Sequence, residues 1–205
     1  DDLAEAYRSG LLRRIPLALE ERPASTATTY PRVTWVTATA TRTDAFALTT
    51  PSRRVQLWRR PDPHADLDAF GSWLATTLAD GGCAVVICTT VRRAQALHRA
   101  LSRWFDGDAD DGEPILDLFH ARFPFAWREA IELRVRRRFG APGRTVANPN
   151  GEHIPVRRPH RAVLVATQVV EQSLDLDFDL LVTESAPGDL LLQRMGRVHR
   201  HDRPV

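Results

Sequence analysis

The stretch RAVLVATQVVEQSLDLDFDLLVTESAPGDLLLQRMGRVHRH, Arg161 to His201, decides the fold. Ala162 to Ala166 is a short apolar run of the kind buried on both faces of a parallel sheet. Thr167, Gln168, Glu171 and Ser173 gather at its carboxyl end. A second run, Phe178 to Thr183, reads as another strand. Ser185, Pro187, Gly188 and Asp189 carry turn chemistry, and Asp189 is a candidate N-cap for a helix opening at Leu190. That helix is expected to carry Gln193, Arg194, Gly196, Arg197 and Arg200. Gln193, Arg197 and Arg200 stand at i, i+4 and i+7, which places them on one helical face. Gly196 costs helix stability but lets another surface come close. Two guanidiniums beside a glycine suit a phosphate on which charge develops, because the fork is planar, permanently charged and multidentate. A solvated basic helix face is the plainer reading of these residues taken alone.

Working back from this stretch, strands and helices alternate. Leu67 to Ala79 has apolar residues near helical spacing and is stopped by Gly81-Gly82. Ala84 to Cys88 is a strongly apolar strand. Thr90 is a candidate N-cap for a helix from Val91 to Trp104, with Ala94, Leu97, Leu101 and Trp104 as its apolar stripe. Ile115 to Phe119 is the next strand and ends in His120-Ala121-Arg122. Ala126 to Phe139 is the next helix, with Trp127, Ile131 and Val135 as its stripe. This alternation predicts an α/β fold with a mostly parallel sheet. Polar residues at the carboxyl ends of such strands are where open α/β sheets bind ligands.

The remaining segments say less. Leu3 to Leu19 is expected to be a helix broken at Gly10. YPRVTWVTATA and RRVQLWRR alternate as strands do and are expected to pair with each other. The acidic run DGDADDGE reads as a solvated loop. Its likeness to a calcium loop fails because Asp111 stands where a glycine is required. Gly140 to His160, rich in Pro, Gly, Asn and Arg, is expected to be a long loop or insertion.

Composition sets further bounds. The chain has 205 residues, 43% hydrophobic and 26% charged, which suits a globular protein of one large domain or one domain with an appendage. No apolar run approaches the ~20 residues of a membrane span, and no membrane partner is expected. Cys83 and Cys88 fit no zinc or redox spacing and read as buried thiols in a reducing compartment, the cytoplasm. No metal-ligand set is visible. All 28 basic residues are arginine. A P-loop needs a lysine at the β- and γ-phosphates, so this chain holds at most half of such a nucleotide site. The net charge is only +2, but Arg134, Arg136, Arg137, Arg138 and Arg144 cluster, as do Arg157, Arg158 and Arg161. Local basic surface of this kind matters more to a nucleic-acid partner than the total.

VATQVVEQSLDLDFD followed by QRMGRVHRH resembles motifs V and VI of superfamily 2 helicases. It is most similar to the CRISPR-associated helicase–nuclease of type I systems, with GRVHRHDRP resembling the type I-E branch. CTTVRRAQAL resembles motif IV. The resemblance implies a RecA-like three-layer sandwich, the second of the two such domains of an ATP-dependent DNA translocase. Residues 1–30 would be a lead-in helix and linker from a first RecA-like domain, and 31–205 the second domain. It further implies ATP with Mg2+ shared across a cleft with that first domain, with Arg197 and Arg200 as catalytic arginines. Asp175, Glu171, Gln193, Arg194 and Gly196 would border the nucleotide. Thr89, His120, Arg122, Thr167 and Gln168 would hold phosphates of single-stranded DNA. A nuclease domain and a CRISPR RNA-guided surveillance complex are the implied partners. Two alternatives stay open on the sequence: a nucleic-acid-binding module that has lost the chemistry, and half of an RNA helicase of the same superfamily.

Overall fold

The structure is a computed structural model, and it describes residues 32–36, 41–45, 55–171 and 174–201. The expected helix over Leu3 to Leu19 lies outside the described residues. The chain divides into two compact units, one ending at Arg54 and one beginning at Val55.

In the first unit, β1 (Arg32–Val36) and β2 (Thr41–Ala45) form an antiparallel ribbon, with Arg32 opposite Ala45. This corrects the expected pairing. The partner of β1 is the segment immediately after it, and residues 55–60 carry no regular structure. Closing a short loop costs less chain entropy than closing a long one. Pro61 and Pro63 also lack the N–H that a ladder needs just beyond 55–60.

The second unit is a parallel α/β sandwich. Its elements run α1 (Leu67–Thr77), β3 (Gly82–Ile87), α2 (Val91–Leu101), β4 (Leu116–Phe119), α3 (Phe125–Phe139), the short strands β5 (Thr145–Ala147) and β6 (His153–Pro155), β7 (Arg161–Ala166), β8 (Leu180–Thr183) and α4 (Gly188–Met195). The central sheet has the order β4-β7-β3-β8, and every pair in it is parallel. β3 and β7 lie at its centre and are buried from their second residue onward, as their continuous apolar runs require.

Alternate residues of these strands feed two cores. Ala84, Val86, Val163 and Val165 pack with Leu74 and Leu78 near α1 and with Ala94, Leu97 and Leu101 of α2. Val85, Ile87, Leu164 and Ala166 pack with Val135 and Phe139 of α3 and with Phe178. The result is helix, sheet, helix: three layers. Thr90 caps α2 as expected, its hydroxyl accepting from the Arg93 N–H at 3.2 Å. Asp66 caps α1 in the same way at 2.9 Å. Cys83 and Cys88 are free, buried thiols.

Several local expectations are corrected. Trp127 does not join the buried stripe of α3; it is 65% exposed, because α3 begins just past the carboxyl end of β4 and its first turn has no core beneath it. Asp189 is not the cap of α4; Pro187 holds that place without a side-chain bond, and Asp189 lies in the first turn. The supposed loop 140–160 contains the β5–β6 hairpin. Asn148 makes its turn, accepting from the N–H groups of Asn150 at 3.0 Å and Glu152 at 2.8 Å, and Gly151 takes a φ of +82°. The acidic loop is not simply solvated. Asp111 pairs with the buried Arg138 at 2.8 Å, and Asp110 accepts from the His160 N–H at 2.8 Å.

Candidate functional site

The carboxyl ends of the four strands present His120, Thr167, Thr89 and Glu184, in that spatial order across the sheet. Parallel pairing puts these ends on one edge, so residues distant in the chain meet there. The Thr167 N–H donates to the Phe119 carbonyl at 3.2 Å. Gln168 opens a short 3-10 turn after β7, and its Nε2 donates to the Thr89 carbonyl at 3.3 Å. The five residues expected to meet nucleic acid therefore share this edge. They are not equally accessible. Thr89, Arg122 and Gln168 are exposed, whereas His120 and Thr167 are buried. The His120 ring stacks on Phe123 at 4.1 Å, and its Nε2 lies 3.1 Å from Gln95 Nε2 on α2. Burial, helped by Arg122, holds its pKa below the ordinary value, so the ring is neutral near pH 7. His120 is placed to position its neighbours.

Arg194, Glu171 and Asp175, expected to border a nucleotide, form a second constellation with Arg197 and Arg200 around Glu171, Leu174 and Asp175. Arg194 is 2% exposed and meets the Glu171 carboxylate at 2.7 Å. It also donates to the Thr183 hydroxyl. Arg197 is 7% exposed. It donates through Nη2 to the Glu171 carbonyl at 2.6 Å and through Nη1 to the Leu174 carbonyl. Its Nε is buried without a partner. Burial, together with the nearby Arg200, lowers its pKa, although the group stays charged. Arg200 meets Asp175 at 2.9 Å with both side chains partly open to solvent, and His201 reaches the same Asp175 oxygen at 2.9 Å. Gln193 is exposed on α4, and Gly196 ends that helix.

This geometry corrects the expectation that Gln193, Arg197 and Arg200 share one helical face. The helix stops at Met195. The chain then runs beside Phe178, whose N–H donates to the Arg197 carbonyl at 2.8 Å, while the His199 N–H donates back to the Phe178 carbonyl at 2.9 Å. Glycine at 196 makes another helical turn costly, and this strand-like bridge satisfies the backbone instead. Beyond that bridge the two arginines converge on Glu171, Leu174 and Asp175.

Two contributors were not singled out from the sequence. Glu184 accepts from the N–H and hydroxyl of Thr89 at 2.8 and 2.5 Å and from Arg93 Nε at 2.6 Å. Arg93 is also gripped by both carboxylate oxygens of Asp62 at 2.7 Å. Glu184 stands one residue past the end of β8, and the rule that strand ends bear ligands could have found it.

A family profile described as CRISPR-associated nuclease/helicase Cas3, C-terminal, matches residues 80–203. The chain belongs to this family. The matched span holds both constellations described above. Among relatives, the Escherichia coli (strain K12) protein named CRISPR-associated endonuclease/helicase Cas3 is 43% identical over 126 residues, which are 61% of this chain and 12% of that one. The crystal structure of T. fusca Cas3-AMPPNP aligns with a TM-score of 0.69 at 37% identity, covering 97% of this chain and 22% of that one. A chain of a CRISPR RNA-guided surveillance complex, pre-nicking, aligns with a TM-score of 0.62 at 32% identity over 94% of this chain and 23% of that one. This chain thus spans less than a quarter of each of these Cas3-type proteins, and its three-layer sandwich on a parallel sheet is RecA-like.

Proposed function

We propose that this chain is the second RecA-like half of an ATP-driven, single-stranded-DNA translocating helicase that works with a nuclease in CRISPR interference. Residues 1–30 would lead in from a first RecA-like domain, and 31–205 would supply motifs IV to VI. The observation that carries this reading is the knot in which Arg194, Arg197, Arg200 and His201 all aim at Glu171, Leu174 or Asp175. A purely structural helix end has no need of three guanidiniums and an imidazole directed at Glu171, Leu174 and Asp175.

The residues fit one side of a nucleotide cleft. Arg197 keeps a buried Nε without a partner, and Arg200 is 42% exposed beside an acid it can leave. Bound ATP with Mg2+ supplies the hydrolysable γ-phosphate, and a lysine-bearing phosphate loop must come from the other half. Arg194 ties α4 to Glu171. Arg200 would hold phosphate by exchanging Asp175 for it, and Arg197 by releasing the carbonyls of Glu171 and Leu174. Each exchange would free Glu171, Leu174 or Asp175, of which Glu171 lies three residues after Gln168 in the chain. Nucleotide occupancy is thereby coupled to the DNA edge, where Thr89, Arg122 and Gln168 meet phosphates and His120 positions Gln95. Gln193 and Gly196 border the same cleft. Recruitment by an RNA-guided surveillance complex in the cytoplasm completes the reading, supported by the likeness to a chain of such a complex.

A phosphate-release assay tests it. The chain alone, with ATP, Mg2+ and single-stranded DNA, should show no turnover, and joining it to a P-loop half should restore DNA-stimulated turnover. Turnover by the isolated chain that survives Arg197→Ala would sink the two-half cleft. DNA binding by the chain should be weak, with a log–log salt slope of roughly −0.7 per phosphate contact.

A further inference from the structure

Glu184 is a carboxylate in a place built for an anion. Its side chain is only 11% exposed, and its oxygens take the Thr89 N–H at 2.8 Å, the Thr89 hydroxyl at 2.5 Å and Arg93 Nε at 2.6 Å. Cys88 and His64 also bring their donor atoms close, all within 4.8 Å of one another and of a Glu184 oxygen. Burial alone would push the carboxyl up, yet the bonds from Thr89 and Arg93 hold it below its ordinary range. The trio His64, Cys88 and Glu184 has metal-ligand types, but the corner is wrong for a cation. Arg93 already stands against the carboxylate, and burial pushes the Cys88 thiol up to about 12, so it keeps its proton.

An N–H, a hydroxyl and a guanidinium converging on oxygens are equally the donor set for a nucleic-acid phosphate. Thr89 is exposed, and Gln168 of the same edge reaches its carbonyl. Arg93 does not depend on Glu184 for its position, because Asp62 grips its Nη2 with both oxygens. Withdrawing Glu184 would leave Nε aimed at the vacated place.

We propose that the Thr89–Arg93 corner is a backbone-phosphate subsite of the single-stranded-DNA track, and that Glu184 fills it as an internal stand-in until DNA displaces it. This rests on the reading of the edge as a DNA track. It makes Glu184 a brake on affinity and Arg93 a DNA contact.

The test is titration of labelled oligothymidylate with the complete helicase at several salt concentrations, without nucleotide. Glu184→Gln keeps the side chain's shape and removes its charge. It should tighten binding about five- to tenfold, the worth of one recovered charge-assisted contact, and steepen the salt slope by about 0.7. Adding Thr89→Ala or Arg93→Ala should abolish the gain. Unchanged or weaker binding by Glu184→Gln, or a gain that survives Thr89→Ala, overturns the proposal. Should Glu184→Gln fail to fold, Arg93→Gln alone decides: binding about fivefold weaker with a flatter slope supports the subsite, and wild-type binding overturns it. If the wild-type helicase binds no oligothymidylate, the DNA-track reading itself falls, and the subsite with it.

Discussion

Arg194 and Glu171 form a nearly sealed ion pair, 2.7 Å apart with side chains 2% and 6% exposed. The pair joins the helix that follows β8 to the turn that follows β7. Removing one partner of a buried pair strands the other charge without solvent, which costs about 3–5 kcal/mol. Arg194→Ala should therefore lower the urea midpoint of the chain sharply. Arg194→Lys should recover little, because an ammonium cannot bond Glu171 and the Thr183 hydroxyl through one planar fork. A midpoint within a few tenths molar of wild type for Arg194→Ala would show that this arginine is not a structural tie.

Arg200 should behave differently. Its pair with Asp175 is open to solvent on both sides, so Arg200→Ala should cost under about 1 kcal/mol of stability. In the complete enzyme the same change should reduce DNA-stimulated ATP hydrolysis by roughly 10³-fold or more, the scale of an arginine finger. Arg197→Ala should lose turnover and also some stability, since it holds two carbonyls. Arg122→Ala should invert the pattern, weakening DNA affinity with basal hydrolysis largely kept. ATPase rate and DNA affinity measured side by side on these three variants check the assignment of the two constellations. Lost DNA affinity with intact turnover for the arginine pair would reverse it.

Stability should fall as the solution is acidified below neutrality. Burial lowers the pKa of both His98 and His120 from the ordinary 6.5. The unfolded chain therefore binds protons that the folded chain refuses, and stability drops as pH falls from 6.5 towards the folded values. Glu184, held below its ordinary 4.5, adds a second loss. Its contribution is present above 4.5 and disappears as pH falls through the folded value. Urea midpoints at pH 8, 7, 6, 5 and 4 should trace both arms, and His120→Asn should flatten the first. A midpoint that holds level from pH 7 to 5 contradicts the lowered pKa of these two rings.

The acidic loop gives a contrast within a few residues. Asp111 and Arg138 are buried together, their side chains 9% and 2% exposed, and Arg138 reaches Asp117 as well at 3.1 Å. Asp111→Asn should cost about 3 kcal/mol or more. Asp106→Asn and Asp108→Asn, on exposed residues of the same loop, should stay within about 0.5 kcal/mol of wild type. Calorimetric melting of the three variants checks it.

Much of this was legible in the sequence, and the reasons differ by residue. β3 and β7 were legible because strands buried on both faces must be continuous apolar runs. The Thr90 cap was legible because capping is settled within three residues. The gathering of Thr89, Thr167 and Gln168 followed from one rule about strand ends. The end of α4 was not legible: Gly196 weakens the helix, but what replaces it is a bridge to Phe178, far back in the chain. Glu184 takes its meaning from Thr89, 95 residues away, and no local pattern marks such a meeting. Asp111 looked like part of a solvated run because its partner, Arg138, lies in a basic cluster that looked equally solvated.

The strand order has a consequence for how the molecule comes into being. β3 and β4 are made in succession, yet they never touch along their ladders; each pairs with β7, which lies between them. A growing chain that has released both strands and the helices after them still lacks their shared partner. Parallel pairings over such separations form slowly and leave apolar edges waiting. β7 is thus the keystone in time as well as in space. A break between Phe119 and Arg161 would leave two orphaned strands rather than a smaller domain, so the sheet, its carboxyl edge and the arginine knot should appear together or not at all.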